Sequence, residues 1–166
     1  MKIYIIGAAG SGKTTLAKEI GQRSGIIPTN LDDIFWSNET NSFGRKRNIE
    51  ERNKIYQKIL KTNAWIIEGA YIEWPIEGLY RSDTVIYLDI DKNEINKRII
   101  LRFLLRKIGI GKTIKKESIS GLKDLIKWNN KQIQELKLFI EKLENENHRI
   151  IILRNDVEIS KYLEKL

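Results

Sequence analysis

Ile3-Tyr4-Ile5-Ile6-Gly7-Ala8-Ala9-Gly10-Ser11-Gly12-Lys13-Thr14-Thr15 is the stretch on which the reading of this chain turns. Its apolar start has no polar alternation, which predicts a strand buried on both faces of a parallel sheet. Leu16 and Ile20 then stand four apart and Gly25 follows, which predicts a helix over Thr14 to Ser24. Between strand and helix the residues fit G-x-x-x-x-G-K-[ST] in the context that gives the pattern meaning. Glycines at 7, 10 and 12 permit backbone conformations and close approaches that a Cβ would block. Exposed N–H groups and the helix N-terminus then face an anion, and phosphates fit that geometry. Lys13 is expected to reach the β- and γ-phosphates of ATP or GTP, and the Thr14 hydroxyl to serve Mg²⁺. Gly7, Ala8, Ala9, Gly10, Ser11, Gly12 and Thr15 complete the expected nucleotide-binding set. The alternative is a glycine-rich turn without a ligand.

The rest of the composition bounds the class. The chain has 166 residues, 41% hydrophobic and 31% charged, which suits one soluble domain over residues 1–166. No apolar run approaches the roughly 20 residues of a membrane span. Met1 to Ile6 is too short for a signal peptide, so none is expected. The absence of cysteine excludes disulfides, thiolate metal sites and cysteine nucleophiles, and agrees with a cytoplasmic location. The single histidine, His148, excludes a multi-histidine metal cluster and is expected in a solvated loop. A net charge of +8 favours anionic partners, although the abundance of Lys, Asn and Ile reads equally as compositional bias.

Outward from the loop, short apolar runs alternate with helical patterns. Thr29 to Leu31, Trp65 to Ile67, Thr84 to Leu88 and Arg149 to Leu153 read as further strands. Helices are expected over Ile49 to Lys61, Lys92 to Lys107, Ile119 to Leu143 and Val157 to Leu166. Asn38 to Arg47 reads as a loop, and Gly109 to Lys112 as a break. Strands separated by helices imply parallel βαβ units. The long helix carries Leu122, Ile126, Ile133, Leu136 and Ile140 on one stripe. That stripe packs on a sheet or pairs with a second copy, so a monomer and a homodimer are both open.

The phosphate loop together with Leu31-Asp32-Asp33-Ile34-Phe35-Trp36, Trp65-Ile66-Ile67-Glu68-Gly69-Ala70-Tyr71 and Arg81-Ser82-Asp83-Thr84-Val85-Ile86-Tyr87-Leu88-Asp89 resembles the bacterial DNA topology modulation protein group. These are small P-loop proteins related to adenylate kinase and shikimate kinase. The resemblance runs from Met1 to about Arg106. It implies an α/β P-loop NTPase three-layer sandwich with a five-stranded parallel sheet in the order 2-3-1-4-5, like nucleoside monophosphate kinases, with a small lid over about 102–118.

It also implies roles. An acid after the second strand, Asp32 or Asp33, would face the phosphoryl acceptor or the metal. We assign the functional role to Asp32 and leave Asp33 to cap a helix beginning at Ile34. Glu68 stands where an Asp is usual, and its extra length suits a role toward Mg²⁺ through water. Asp89 is either on the ligand side of the sheet or a helix cap.

Arg98, Arg102 and Arg106 repeat every four residues, and nine basic residues with one acid lie between Lys92 and Lys116. Arg98 and Arg102 are the expected lid arginines, with Gly109 and Gly111 as hinges; the alternative is a solvated basic face. Arg45-Lys46-Arg47 either binds an acceptor phosphate or is solvated. Trp36, Tyr71 and Trp74 either stack on a ring or belong to the core. Arg154 would pass the nucleotide base.

The leading expectation is therefore an ATP-dependent phosphotransferase acting on a small molecule such as a nucleotide or nucleoside. The competing one is a nucleotide-dependent switch or ATPase that binds DNA, supported by the basic stretch but by no nucleic-acid fold signature.

Overall fold

The computed structural model describes residues 1–37, 45–110, 118–146 and 148–166. Its centre is a sheet of β1 (Lys2–Gly7), β2 (Thr29–Asn30), β3 (Trp65–Gly69), β4 (Thr84–Leu88) and β5 (Ile150–Leu153). All pairs are parallel and the order is β2-β3-β1-β4-β5, with helices on both faces. The order expected from the sequence is the one found. Parallel neighbours cannot be joined by tight turns, so each connection crosses over through a helix.

The register fixes the site. Ile6 of β1 is level with Gly69 of β3, and Gly7 is level with Leu88 of β4. The carboxyl ends of three strands therefore open at one edge, where ligands of doubly wound sheets bind. Tyr4, Ile5, Ile6, Ile66, Ile67 and Ile86 are each fully buried beneath that edge. The uniform apolar runs read from the sequence are explained by this two-sided burial.

The helices are α1 (Lys13–Ser24), α2 (Leu31–Phe35), α3 (Ile49–Leu60), α4 (Ile76–Tyr80), α5 (Lys92–Lys107), α6 (Ile119–Asn145) and α7 (Asp156–Glu164). Leu136, Ile140 and Leu143 of α6 are buried in the core, and Leu122, Ile126 and Ile133 pack against it. No helix among the described residues is long and apolar enough to cross a membrane.

Several local expectations are corrected. α2 begins at Leu31, not Ile34, and its cap is Asn30, whose side chain accepts from the Asp32 N–H at 2.8 Å. Asp33 is therefore not the cap of α2; burial of Leu31 draws the helix start three residues earlier. α5 is capped by Asp91, which accepts from the N–H groups of Asn93 and Glu94. Asp89 accepts instead from the Tyr87 hydroxyl at 3.4 Å and pairs with Lys137 at 3.4 Å. His148 is not simply solvated: its ring meets Tyr80 edge-on with centroids 5.0 Å apart. The short α4 has no periodicity long enough to read. α5 ends at Gly109, at φ +82°. The remainder of the expected lid, Gly111 included, lies outside the described residues.

Candidate functional site

The loop after β1 has the conformation that its glycines allow. Gly10 and Gly12 have φ of +84° and +100°, the left-handed region costly to any residue with a Cβ. Gly12 occupies the cap position of α1, where no side chain caps the helix and no acid stands in the first turn. The first N–H groups of α1 are thus left to an anion.

Lys13 is buried, and its Nζ donates to the Ala8 carbonyl at 2.8 Å. Burial lowers its pKa to about 8; the nearby Glu68 and Asp32 carboxylates oppose that fall and Arg102 adds to it. Glu68, at the end of β3, is only 3% exposed. Its Oε1 accepts from the Thr14 hydroxyl at 2.7 Å. Burial raises the Glu68 pKa, against the Thr14 hydrogen bond and the Lys13 charge. Asp32, in the first turn of α2, accepts from the Tyr71 hydroxyl at 2.7 Å.

These residues line one cavity of about 610 Å³. Its lining brings together Lys13, Thr14, Asp32, Glu68 and Arg102. Phe35, Trp36, Tyr71 and Trp128 line it as well.

The donors present suit Mg²⁺. The Thr14 hydroxyl and the Glu68 and Asp32 carboxylates are hard oxygen donors beside the loop. Among the described residues no group of three or more His, Cys, Asp or Glu could enclose a metal. Mg²⁺ characteristically takes one or two protein oxygens and leaves its other positions to waters and phosphates.

Other expected residues lie elsewhere. Arg98 is not grouped with Lys13 and Asp32. Its guanidinium pairs with Asp156 at 2.8 Å and Glu94 at 3.0 Å, and donates to the Ser11 carbonyl at 3.5 Å. With Ser11, Gly12 and Thr15 it lines a second cavity of about 440 Å³ behind the loop. Arg154 is exposed, lines neither cavity, and its N–H donates to Glu158.

The Arg45-Lys46-Arg47 run separates into different tasks. Arg47 donates to the carbonyls of Ile34, Trp36 and Asp33 and pairs with Glu51 at 2.7 Å, which staples α2 to α3. Lys46 lies over the Phe35 ring, 5.7 Å from its centroid. Trp74 packs on Arg52, 4.7 Å from the guanidinium carbon. The basic run behind the DNA-binding alternative follows α5 and then leaves the described residues.

Sequence reasoning missed Asn129. It is fully buried on α6; its Oδ1 accepts from the Ala9 N–H at 2.9 Å and its Nδ2 donates to the Ala9 carbonyl at 3.0 Å. Gln132, one turn on, donates to the Ala70 carbonyl at 3.1 Å. The available signal was a polar residue on an apolar stripe, three residues after Ile126 and four before Ile133. The Tyr71–Asp32 bond had no such signal.

A five-stranded parallel sheet in this order, with this glycine loop at the end of its central strand, defines the fold as that of the P-loop kinases. No family model matches the chain, and no curated protein matches it. Among solved structures it is similar to shikimate kinase from Bacteroides thetaiotaomicron, at 17% identity and TM-score 0.55 over 98% of this chain and 94% of that one. It is also similar to an unliganded sugar kinase from Janibacter sp. HTCC2649, at 15% identity and TM-score 0.54 over 98% and 91%. At such identities the likeness carries the fold, and neither match shows membership of the topology modulation group.

Proposed function

We propose that this chain is an ATP-dependent phosphotransferase that moves the γ-phosphoryl group of ATP to a hydroxyl of a small acceptor. The observation that carries this reading is the convergence of Lys13, Thr14, Glu68, Asp32 and Arg102 on one cavity at the mouth of the phosphate loop. A nucleotide-binding switch needs the loop; it has no need of a second carboxylate in the same cavity held by a tyrosine.

The loop amides and α1 bind the phosphate oxygens. Lys13 offsets charge on the β- and γ-phosphates, and Arg102 offsets charge on the transferring group. Thr14 and Glu68 would hold Mg²⁺, Thr14 through its hydroxyl and Glu68 from behind it. Bound there, Mg²⁺ supplies charge neutralisation across the phosphates. Asp32, oriented by Tyr71, accepts the proton of the acceptor hydroxyl as its oxygen attacks phosphorus. The bond to the β–γ bridging oxygen breaks and ADP leaves with that electron pair.

The residue-level test is Asp32→Asn. We expect kcat for transfer to fall about 10²-fold or more, with the KM for ATP little changed. A variant that retains the full transfer rate removes Asp32 from the reaction.

A further inference from the structure

We infer that the acceptor is a neutral, hydroxyl-bearing molecule with a flat aromatic ring, the chemistry of a nucleoside, and not a phosphorylated or carboxylated compound. This rests on the phosphotransfer reading above and concerns the aromatic lining of the same cavity.

That lining draws its aromatic rings from separate elements. Phe35 and Trp36 come from the end of α2, Tyr71 follows β3, and Trp128 projects from α6. Phe35 stacks on Tyr71 with centroids 5.0 Å apart and planes 23° apart, and meets Trp36 edge-on at 5.0 Å. Arg52 backs this platform, 5.2 Å from the Phe35 centroid and 4.7 Å from that of Trp74. The platform is thus fixed before any ligand arrives, which lowers the entropic cost of stacking. Trp128 is 53% exposed and lines the same cavity, although neighbouring positions of α6 offer burial against the core. Large aromatic faces lining a cavity suit a flat ring, and stacking of this kind accepts any base.

Among the described residues, charge argues against an anionic acceptor. A phosphate or carboxylate on the acceptor needs a cation aimed at it. Arg47 is committed to three carbonyls and Glu51, and Arg52 lies over two rings. Lys46 lines the cavity with its ammonium over the Phe35 ring, 5.7 Å from the centroid. Lys13 and Arg102 are assigned above to the donor phosphates. Asp32 stands at the aromatic wall, hydrogen-bonded to Tyr71, and repels an acceptor anion while accepting from a hydroxyl.

The test uses the full chain in two assays. Tryptophan fluorescence is titrated with adenosine, uridine, their 5′-monophosphates and a carboxylated cyclic polyol. Transfer from ATP-Mg²⁺ is then measured for each, with Lys13→Ala as the control. We expect saturable quenching by the nucleosides, and a kcat/KM for the better nucleoside at least about tenfold above that of either anionic class. Trp128→Ala should raise the nucleoside KM about tenfold with kcat and the KM for ATP little changed, and Trp128→Phe should restore most of the loss. Lys13-dependent transfer that prefers a monophosphate or a carboxylate overturns this inference and leaves phosphotransfer standing. Saturable nucleoside binding without Lys13-dependent transfer to any acceptor removes the phosphotransfer reading instead. Absence of nucleoside quenching, or a Trp128→Ala variant with unchanged nucleoside KM, overturns the aromatic site itself.

Discussion

Lys13 holds its ammonium against the Ala8 carbonyl in a buried position, and burial brings its pKa down to about 8 from 10.5. Below pH 8 the lysine is protonated in both folded and unfolded chains. Between 8 and 10.5 the unfolded chain holds the proton and the folded one does not, so this group's contribution to stability rises with pH across that window. Phosphates placed on Lys13 favour its charged form and push the pKa back up. ATP binding near pH 9 is therefore expected to take up about one proton, and near pH 7 almost none. Calorimetric titration in buffers of different ionisation enthalpy measures this, and Lys13→Ala should abolish the uptake at high pH. Equal proton exchange in variant and parent would place the nucleotide away from Lys13. Much of this site was legible at the residue scale, because the loop pattern encodes backbone geometry within eight consecutive residues. The partners were not. Tyr71 reaches Asp32 across 39 positions, and Asn129 reaches Ala9 across 120, and no local pattern records which residue meets which over such distances.

Among the elements, α6 does more than cover the sheet. Through Asn129 it pairs with both polar groups of the Ala9 peptide, and through Gln132 it holds Ala70 beyond the end of β3. One helix thereby fixes the two backbone segments that bear the phosphate loop and Glu68. Asn129→Leu keeps the volume and leaves the Ala9 N–H and carbonyl unpaired, each at about 1–3 kcal/mol if still buried. A loss of about 2 kcal/mol or more corresponds to a fall of at least about 4 °C in Tm for a chain of this size. Scanning calorimetry is expected to show that fall, together with weaker ATP binding. An unchanged Tm would mean that the loop keeps its shape without the clamp. The helix itself was legible from its 3.6-residue period, as were α1, α3 and α5. Starts were less so: Asn30 and Asp91, not Asp33 and Asp89, cap their helices. In each case a side chain that satisfies N–H groups one turn ahead competes with another acid two or three residues away, and tertiary burial decides between them.

For the whole molecule, parallel strands followed from apolar runs and intervening helices, their order from a resemblance, and the sheet carries all five strands as expected. What the sequence could not supply was the partition of its basic residues. Arg98 and Arg102 share a helical stripe, yet they serve different cavities: Arg98 is drawn to Asp156 behind the loop, and Arg102 lines the front cavity with Asp32 and Glu68. Only the packing of α5 and α7 against the loop separates them. On the proposed reading, the front cavity assembles phosphate contacts, a carboxylate and an acceptor wall from α1, α2, β3, α5 and α6 together. The most direct test of that assembly is acceptor-dependent release of ADP from ATP-Mg²⁺, followed over nucleosides, nucleoside monophosphates and small hydroxylated metabolites, with Lys13→Ala beside the parent chain. Release that requires an acceptor, yields a phosphorylated product and falls about 10³-fold in Lys13→Ala is the predicted result. ATP binding of normal affinity with no acceptor-dependent release over the whole panel would contradict a phosphotransfer site.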